Sequence, residues 1–301
     1  MTEQSSKITV LDGGMGKELL RIGAPFEQPE WSALALLEGP DWVRQAHQNF
    51  VDAGAQVITT NAYAVVPYHI GSERFAAQGA ELAELAAAIA RQVADAADHD
   101  VLVAGSLPPL FGSYEPWNFD AEKAPALWDV LIDAQVGKVD VWLAETISSL
   151  DEFRMLASRL AERAEPLWAS FTLTDDLPAD VDASTWAQLR SGESIAEMAA
   201  AVAGQVDAVL FNCSHPERLR PAIRQLVAAL DDKAIAIGAY ANAFEPKEEG
   251  YASNDVILEH RADLTPEVYA DFARGWIDDG ATIVGGCCGI RPDHIEALAR
   301  L

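Results

Sequence analysis

Basic residues are in short supply in this sequence. Lys and Arg total 21 against 47 Asp and Glu in 301 residues, a formal charge of −26. A field of that sign repels phosphate backbones and acidic lipid headgroups, which argues against nucleic acid or a membrane surface as a partner. Cysteine is scarcer still. Three residues cannot build a disulfide framework, and the odd count points to thiols kept reduced, hence to the cytoplasm. Long apolar runs are missing as well: Ala-rich stretches such as 81–93 are broken by charges and fall short of the ~18 residues that span a bilayer. Residues 1–7 are polar and lead straight into an apolar run, so no signal peptide is expected. A G-x-G-x-x-G turn and a Walker motif are also lacking. Gly13-Gly14-Met15-Gly16 has the wrong spacing for either, which disfavours a doubly wound nucleotide-binding sheet.

What is present is ample material for a core, with half of the residues hydrophobic. Eight β-branched, nearly continuous apolar runs begin near Ile8, Gln56, Val101, Val139, Pro166, Asp207, Ala234 and Thr282. Such runs suit parallel strands buried on both faces. Segments of helical period separate them: 41–53, with Val43, Ala46, His47 and Phe50 on one face, then 78–97 and 151–162. A further helix opens at Thr265-Pro266, an N-cap followed by proline at the first position. Eight strands alternating with helices predict an α/β protein with a (β/α)8 TIM barrel, formed as one domain over residues 1–301. Three long connections, 108–125, 174–195 and 244–265, each follow a strand, and a barrel would gather them at its C-terminal face, where active sites are built.

All three cysteines lie at predicted strand ends. Cys213 closes the sixth strand and Cys287-Cys288 the eighth, so a barrel would turn them toward one mouth. Neighbouring residues on a strand point to opposite sides, but Gly285, Gly286 and Gly289 permit the chain to turn both sulfurs toward one point. Burial as small apolar residues would explain one such cysteine better than three that converge. A shared metal site is the stronger reading, and thiolates select Zn2+. Three ligands are the catalytic number. His215, two residues after Cys213, is a candidate fourth that would close the site into a structural one, although Pro216 tends to send it into the loop.

Further segments then carry a resemblance: Leu11-Asp-Gly-Gly-Met-Gly, Thr59-Thr-Asn-Ala-Tyr, Glu145-Thr, Ser170-Phe-Thr-Leu, Asn212-Cys213, Tyr240-Ala-Asn and Gly285-Gly-Cys-Cys-Gly. In this order the chain resembles the zinc-dependent homocysteine S-methyltransferases, with Asn-Cys and Gly-Gly-Cys-Cys as the specific pair. The resemblance implies that Cys213, Cys287 and Cys288 bind Zn2+, with the homocysteine thiolate as fourth ligand. It implies that Asp12 and Gly13 hold the amino-acid end of homocysteine and that Glu145 binds its ammonium, and it assigns Trp31 and Tyr63 to the methyl-donor side. Tyr114 and Trp117 join that side from their placement alone. The chain departs from the family after the third strand. Where many members carry Ser-Val-Gly-Pro-Tyr-Gly, it reads Ser106-Leu-Pro-Pro-Leu-Phe-Gly-Ser-Tyr, and this concerns the donor pocket.

The expected reaction is methyl transfer from an onium cation to homocysteine, giving methionine, with small molecules as partners. S-methylmethionine ranks first as donor, S-adenosylmethionine second and betaine third. The betaine branch generally carries a C-terminal extension, whereas this sequence ends 13 residues after Cys288. The contrasting expectation is a non-catalytic barrel with a closed Cys3His zinc site.

Overall fold

Each of the eight apolar runs forms a strand. In the computed structural model, which describes residues 8–230, 234–245 and 261–301, they are β1 (Thr9–Val10), β2 (Val57–Thr59), β3 (Leu102–Leu107), β4 (Val141–Ile147), β5 (Leu167–Phe171), β6 (Ala208–Asn212), β7 (Ala236–Tyr240) and β8 (Ile283–Val284). They make one parallel sheet in the order β1-β8-β7-β6-β5-β4-β3-β2. A parallel bridge between Leu11 and Val57 joins its two ends, backed by Gln56 N–H donating to Val10 O at 2.7 Å and Asp12 N–H to Val57 O at 2.9 Å. The result is a nearly closed (β/α)8 barrel wrapped by helices.

The two faces of the strands explain why the runs are apolar throughout. Leu11, Val57, Val141, Leu143 and Leu210 fill the barrel interior, while a larger layer of buried side chains lies between sheet and helices. β4 is buried at all seven positions. Each strand thus contributes to two apolar layers, and burial of that area is the main favourable term in the fold.

The predicted helices are present with shifted ends. The 41–53 segment is Pro40–Asp52, and 151–162 is Leu150–Leu160, capped by Ser149, whose hydroxyl accepts from Glu152 N–H. The 78–97 segment begins earlier, at Ser72. Its first turns, Ser72-Glu-Arg-Phe-Ala-Ala-Gln, are largely exposed apart from Phe75, so apolar periodicity is weak there. Thr265 caps Pro266–Asp278 as expected, its hydroxyl accepting from Val268 N–H at 3.4 Å. Of the three long connections, 246–260 within the third lies outside the described residues. No helix among the described residues is long and apolar enough to cross a membrane.

Candidate active site

The C-terminal ends of the strands open into a cavity that collects residues distant in sequence. Asp12, Gly13, Trp31, Tyr63, Glu145, Cys213, Cys287 and Cys288 all line it, and Tyr114 and Tyr240 lie in the same wall.

Main-chain geometry brings the sulfurs together. Cys213 follows β6 directly and takes φ +50°, a left-handed conformation that a non-glycine residue seldom adopts. After β8 the chain turns through 285–289. Gly286 donates its N–H to Asp12 O, Cys287 donates to Ala241 O, and Cys288 O accepts from Ala243 N–H, at 3.0, 2.9 and 2.8 Å. A Cβ at Gly286 would run into the Ile290 side chain, so this tight turn requires glycine. The three sulfurs lie within 4.8 Å of one another, and among the described residues this is the one group of three or more His, Cys, Asp or Glu so placed. The Cys213 and Cys287 sulfurs are close enough to be bonded, unlike the all-reduced state expected from the cysteine count, and Cys288 lies outside that bond. Disulfide and metal–thiolate set are alternative states of the same atoms, and the second requires all three thiols reduced. Tetrahedral ligation at a Zn–S distance of about 2.3 Å would set sulfurs about 3.8 Å apart. Cys213 and Cys288 have that separation, 3.8 Å, and Cys213 and Cys287 would reach it only on parting from bonding distance; three convergent sulfurs are a donor set of the kind that holds a thiophilic metal.

His215 does not belong to the cluster. It is the N-cap of Pro216–Ala229, its N–H donates to Asp175 Oδ1 at 2.9 Å, and its Nδ1 lies 3.8 Å from the same carboxylate. The turn of backbone at Cys213 and the proline that starts the helix carry it away from the sulfurs. Neither a fourth protein ligand nor a closed Cys3His set is found among the described residues.

The same cavity is lined by two buried carboxylates close enough to repel each other. Asp12 stands two residues past β1 and accepts from Thr59 N–H at 2.8 Å and from Thr59 Oγ1 at 3.3 Å. Glu145, within β4, accepts from the Ser106 hydroxyl. Burial pushes Asp12 up to about 8, against the lowering effect of Thr59, and the Glu145 charge adds to the rise. Burial likewise lifts Glu145 to about 7, with Ser106 opposing it. Among the described residues neither acid has an ion-pair partner, and a ligand's ammonium placed between the two would supply one.

Asn212 ties the two sides together. Its Oδ1 accepts from Thr146 N–H at 3.1 Å and from the Ser170 hydroxyl at 2.8 Å, and its amide donates to Thr146 Oγ1 at 2.9 Å. The same amide reaches Cys287 Sγ at 3.9 Å. Thr146 has φ +60°, an uncommon conformation for a β-branched residue, and Asn212 holds it there beside Glu145.

The aromatic residues divide. Trp31 packs edge-on against Phe26 and His69, with centroids 5.9 and 6.1 Å away. Tyr63 hydrogen-bonds Ser113 at 2.6 Å. Tyr114 lies under the Arg190 guanidinium, 4.6 Å from its carbon, and Arg190 pairs with Asp175 at 2.8 Å. Trp117 is a correction: it sits in a short helix, Pro116–Asn118, is 74% exposed, and does not line the cavity. Thr59 and Asn212 fall in segments that carry the resemblance and Ser106 in the one that departs from it, but nothing in the sequence assigns them to orienting the acids and the sulfurs.

A family model, Homocysteine S-methyltransferase, matches residues 9–301. The chain belongs to this family. It is accordingly a methyltransferase of the homocysteine S-methyltransferase type. It is 30% identical to the homocysteine S-methyltransferase of Escherichia coli over 97% of this chain and 94% of that one. It is 29% identical to a selenocysteine methyltransferase of Astragalus bisulcatus, covering 99% and 93% of the two chains. The solved structure of the E. coli homocysteine methyltransferase MmuM in its metallated form superposes with a TM-score of 0.78 at 26% identity, over 98% of this chain and 96% of that one.

Proposed function

We propose that residues 1–301 form one catalytic barrel that transfers a methyl group from an onium donor, S-methylmethionine first, to the sulfur of L-homocysteine at a Zn2+ held by Cys213, Cys287 and Cys288. The observation that carries this reading is the union, in one cavity, of three converging sulfurs with a buried pair of carboxylates. Ligation needs Cys213 and Cys287 as thiols, which suits a reducing compartment such as the cytoplasm.

When bound, Zn2+ keeps a ligated thiol ionised at neutral pH, the state in which sulfur is nucleophilic. Asp12 and Glu145 take the ammonium of homocysteine, and Gly13 borders the same end. Thr59 and Ser106 direct the carboxylate oxygens, so the amino acid enters with a fixed orientation. Trp31 and Tyr63 wall the cavity on the donor side, where aromatic faces attract a methylated cation. In the transfer, a bond forms between the homocysteine sulfur and the methyl carbon as the bond from that carbon to the donor sulfonium breaks. The broken bond's electron pair stays on the departing sulfur. Both products are neutral thioethers, so no side chain has to protonate a leaving group.

Charge supports the choice of donor. If Cys213, Cys287 and Cys288 hold Zn2+ as thiolates, the site would be formally about −1, and the substrate thiolate would add a further negative charge. Next to two carboxylates, such a site favours a cation over a neutral thioether or an anion. A sulfonium leaves more readily than a trialkylammonium, which ranks S-methylmethionine first, S-adenosylmethionine second and betaine third. Initial rates for each donor at matched homocysteine, read as methionine formed, test the ranking. S-methylmethionine is expected to be fastest. Betaine outrunning both sulfoniums would reverse the order, and no turnover with any onium donor would remove the enzymatic reading.

A further inference from the structure

Charges around the cavity are unequally placed. Asp12, Glu145 and the three sulfurs are all acidic or acidic once ionised, whereas Lys17 is the sole Lys or Arg among the described lining residues. His69, also in the wall, is held neutral by burial, which pushes its pKa down to about 4. Lys17 makes no salt bridge with any described residue, although the protein has more than twice as many acids as bases.

The position of Lys17 is unusual for a lysine. It lies in the first turn of the helix Met15–Ile22, where the helix dipole favours acids and disfavours cations. Side chains in a helix lean toward its N-terminus, and Gly14, three residues earlier, lies on the same face. A Cβ on Gly14 would come within 2.7 Å of Cys287 O and 3.2 Å of Cys288 Cα, so this end of the helix abuts the cysteine turn. The Lys17 stem is therefore directed along the rim beside Cys288. Burial lowers its pKa and Cys288 raises it, consistent with that neighbourhood.

An amino-acid substrate carries an ammonium and a carboxylate on one carbon. With the ammonium between Asp12 and Glu145, its carboxylate needs a donor that those acids cannot provide, and the described wall offers one cationic side chain. We propose that Lys17 is a specificity-determining residue whose ammonium receives the α-carboxylate of an amino-acid substrate at the rim of the cavity. The inference rests on the functional reading above. Homocysteine and S-methylmethionine both carry such a carboxylate, and the two are separated by experiment.

The test compares wild type with Lys17→Met. Acceptors are homocysteine and 3-aminopropane-1-thiol, which is homocysteine without its carboxylate. Donors are S-methylmethionine and (3-aminopropyl)dimethylsulfonium, related in the same way. In the variant, the wild-type preference in kcat/KM for the carboxylate-bearing member is expected to fall tenfold or more in at least one pair. The pair that collapses names the substrate whose carboxylate Lys17 receives. Lys17→Arg should retain most of the preference, and Lys17→Gln replaces the Met variant if that one folds poorly. Titration of methionine against 3-(methylthio)propylamine reads the same discrimination without turnover. If both preferences stay at wild-type values while all rates fall together, Lys17 serves the thiolates and the proposal is wrong. The same holds if the variant is indistinguishable from wild type. Absence of methionine formation by the wild type with any donor would instead remove the functional reading, whatever the variant does.

Discussion

Cys213, Cys287 and Cys288 meet as one group in the cavity wall and Asp12 and Glu145 as another, and the two groups are held by different means. Backbone places the sulfurs: a left-handed residue at Cys213 and a glycine-bound turn after β8, with Asn212 at 3.9 Å as a weak polar neighbour. Side-chain and amide donors place the carboxylates, through Thr59 and Ser106. The sulfur side depends little on polar partners within the protein. The carboxylate side is already hydrogen-bonded, and what it lacks is a positive charge. Loss of a sulfur should therefore remove a ligand, while loss of a carboxylate should remove an orientation.

The largest effect is expected on the sulfur side. Cys288→Ala, and equally Cys213→Ala or Cys287→Ala, should abolish methionine formation and the roughly one tightly bound Zn2+ per chain that a three-thiolate site implies. Circular dichroism should stay that of a folded barrel, because the apolar layers on both faces of the sheet do not include the metal. Full zinc content in any one of these variants, measured by elemental analysis, would break the contrast at its stronger end.

A smaller effect is expected at the carboxylates. Glu145→Ala should weaken homocysteine binding by roughly 1.5–3 kcal/mol, the range for a charge-assisted hydrogen bond, and leave zinc in place. Calorimetric titration checks the affinity and elemental analysis the metal. Unchanged affinity would mean that Glu145 is a strand-end acid with no hand in binding.

A further effect is a pH dependence that belongs to the carboxylates alone. Methionine has no thiol to ionise, so its binding reports on the acids without the sulfur chemistry of homocysteine. In the free protein, burial holds protons on Asp12 up to about pH 8 and on Glu145 up to about pH 7. An incoming ammonium favours the ionised acids, so binding releases protons and affinity must fall as pH drops from 8 to 6. The limit is about tenfold per pH unit for each proton released. Glu145→Gln should flatten the lower part of that profile. A pH-independent methionine affinity in the wild type would show that the carboxylates do not receive the ammonium.

These two sides also differed in how readily the sequence disclosed them. The strands were legible because parallel strands buried on both faces leave uninterrupted apolar runs, and β4, buried at every position, is the clearest case. The cysteines were legible because three residues of a rare type fell at two strand ends. Asp12 and Glu145 emerged through the family resemblance, since an acid before a glycine pair or near a helix start has ordinary explanations. Thr59, Ser106 and Asn212 stand in segments quoted from the sequence, but their roles stayed hidden. Hydroxyls and amides near strand ends carry no period, and their role depends on which strands become neighbours. Lys17 was hidden for a related reason: its position in a first helical turn says nothing of a cavity until the Gly14 contact with the cysteine turn is seen. Trp117 misled in the opposite direction, because placement on a long post-strand loop does not decide whether a ring faces the mouth or the solvent.

The seam of the barrel has a further consequence. β1 and β8 have two residues each and β2 three, against seven in β4, and β1 meets β2 through one isolated bridge. Asp12, Cys287 and Cys288 stand beside this thin seam, while Glu145 and Cys213 rise from the longer strands opposite. Local opening costs least where few backbone bonds must break, so the two halves of the site belong to units of unequal cooperativity. A metal shared by Cys213, Cys287 and Cys288, or an ammonium shared by Asp12 and Glu145, spans the weak unit and the strong one. Each, when bound as proposed, would act as a clasp that lends the rigidity of the thick wall to the seam, so that breathing of the barrel and retention of its ligands would become one equilibrium.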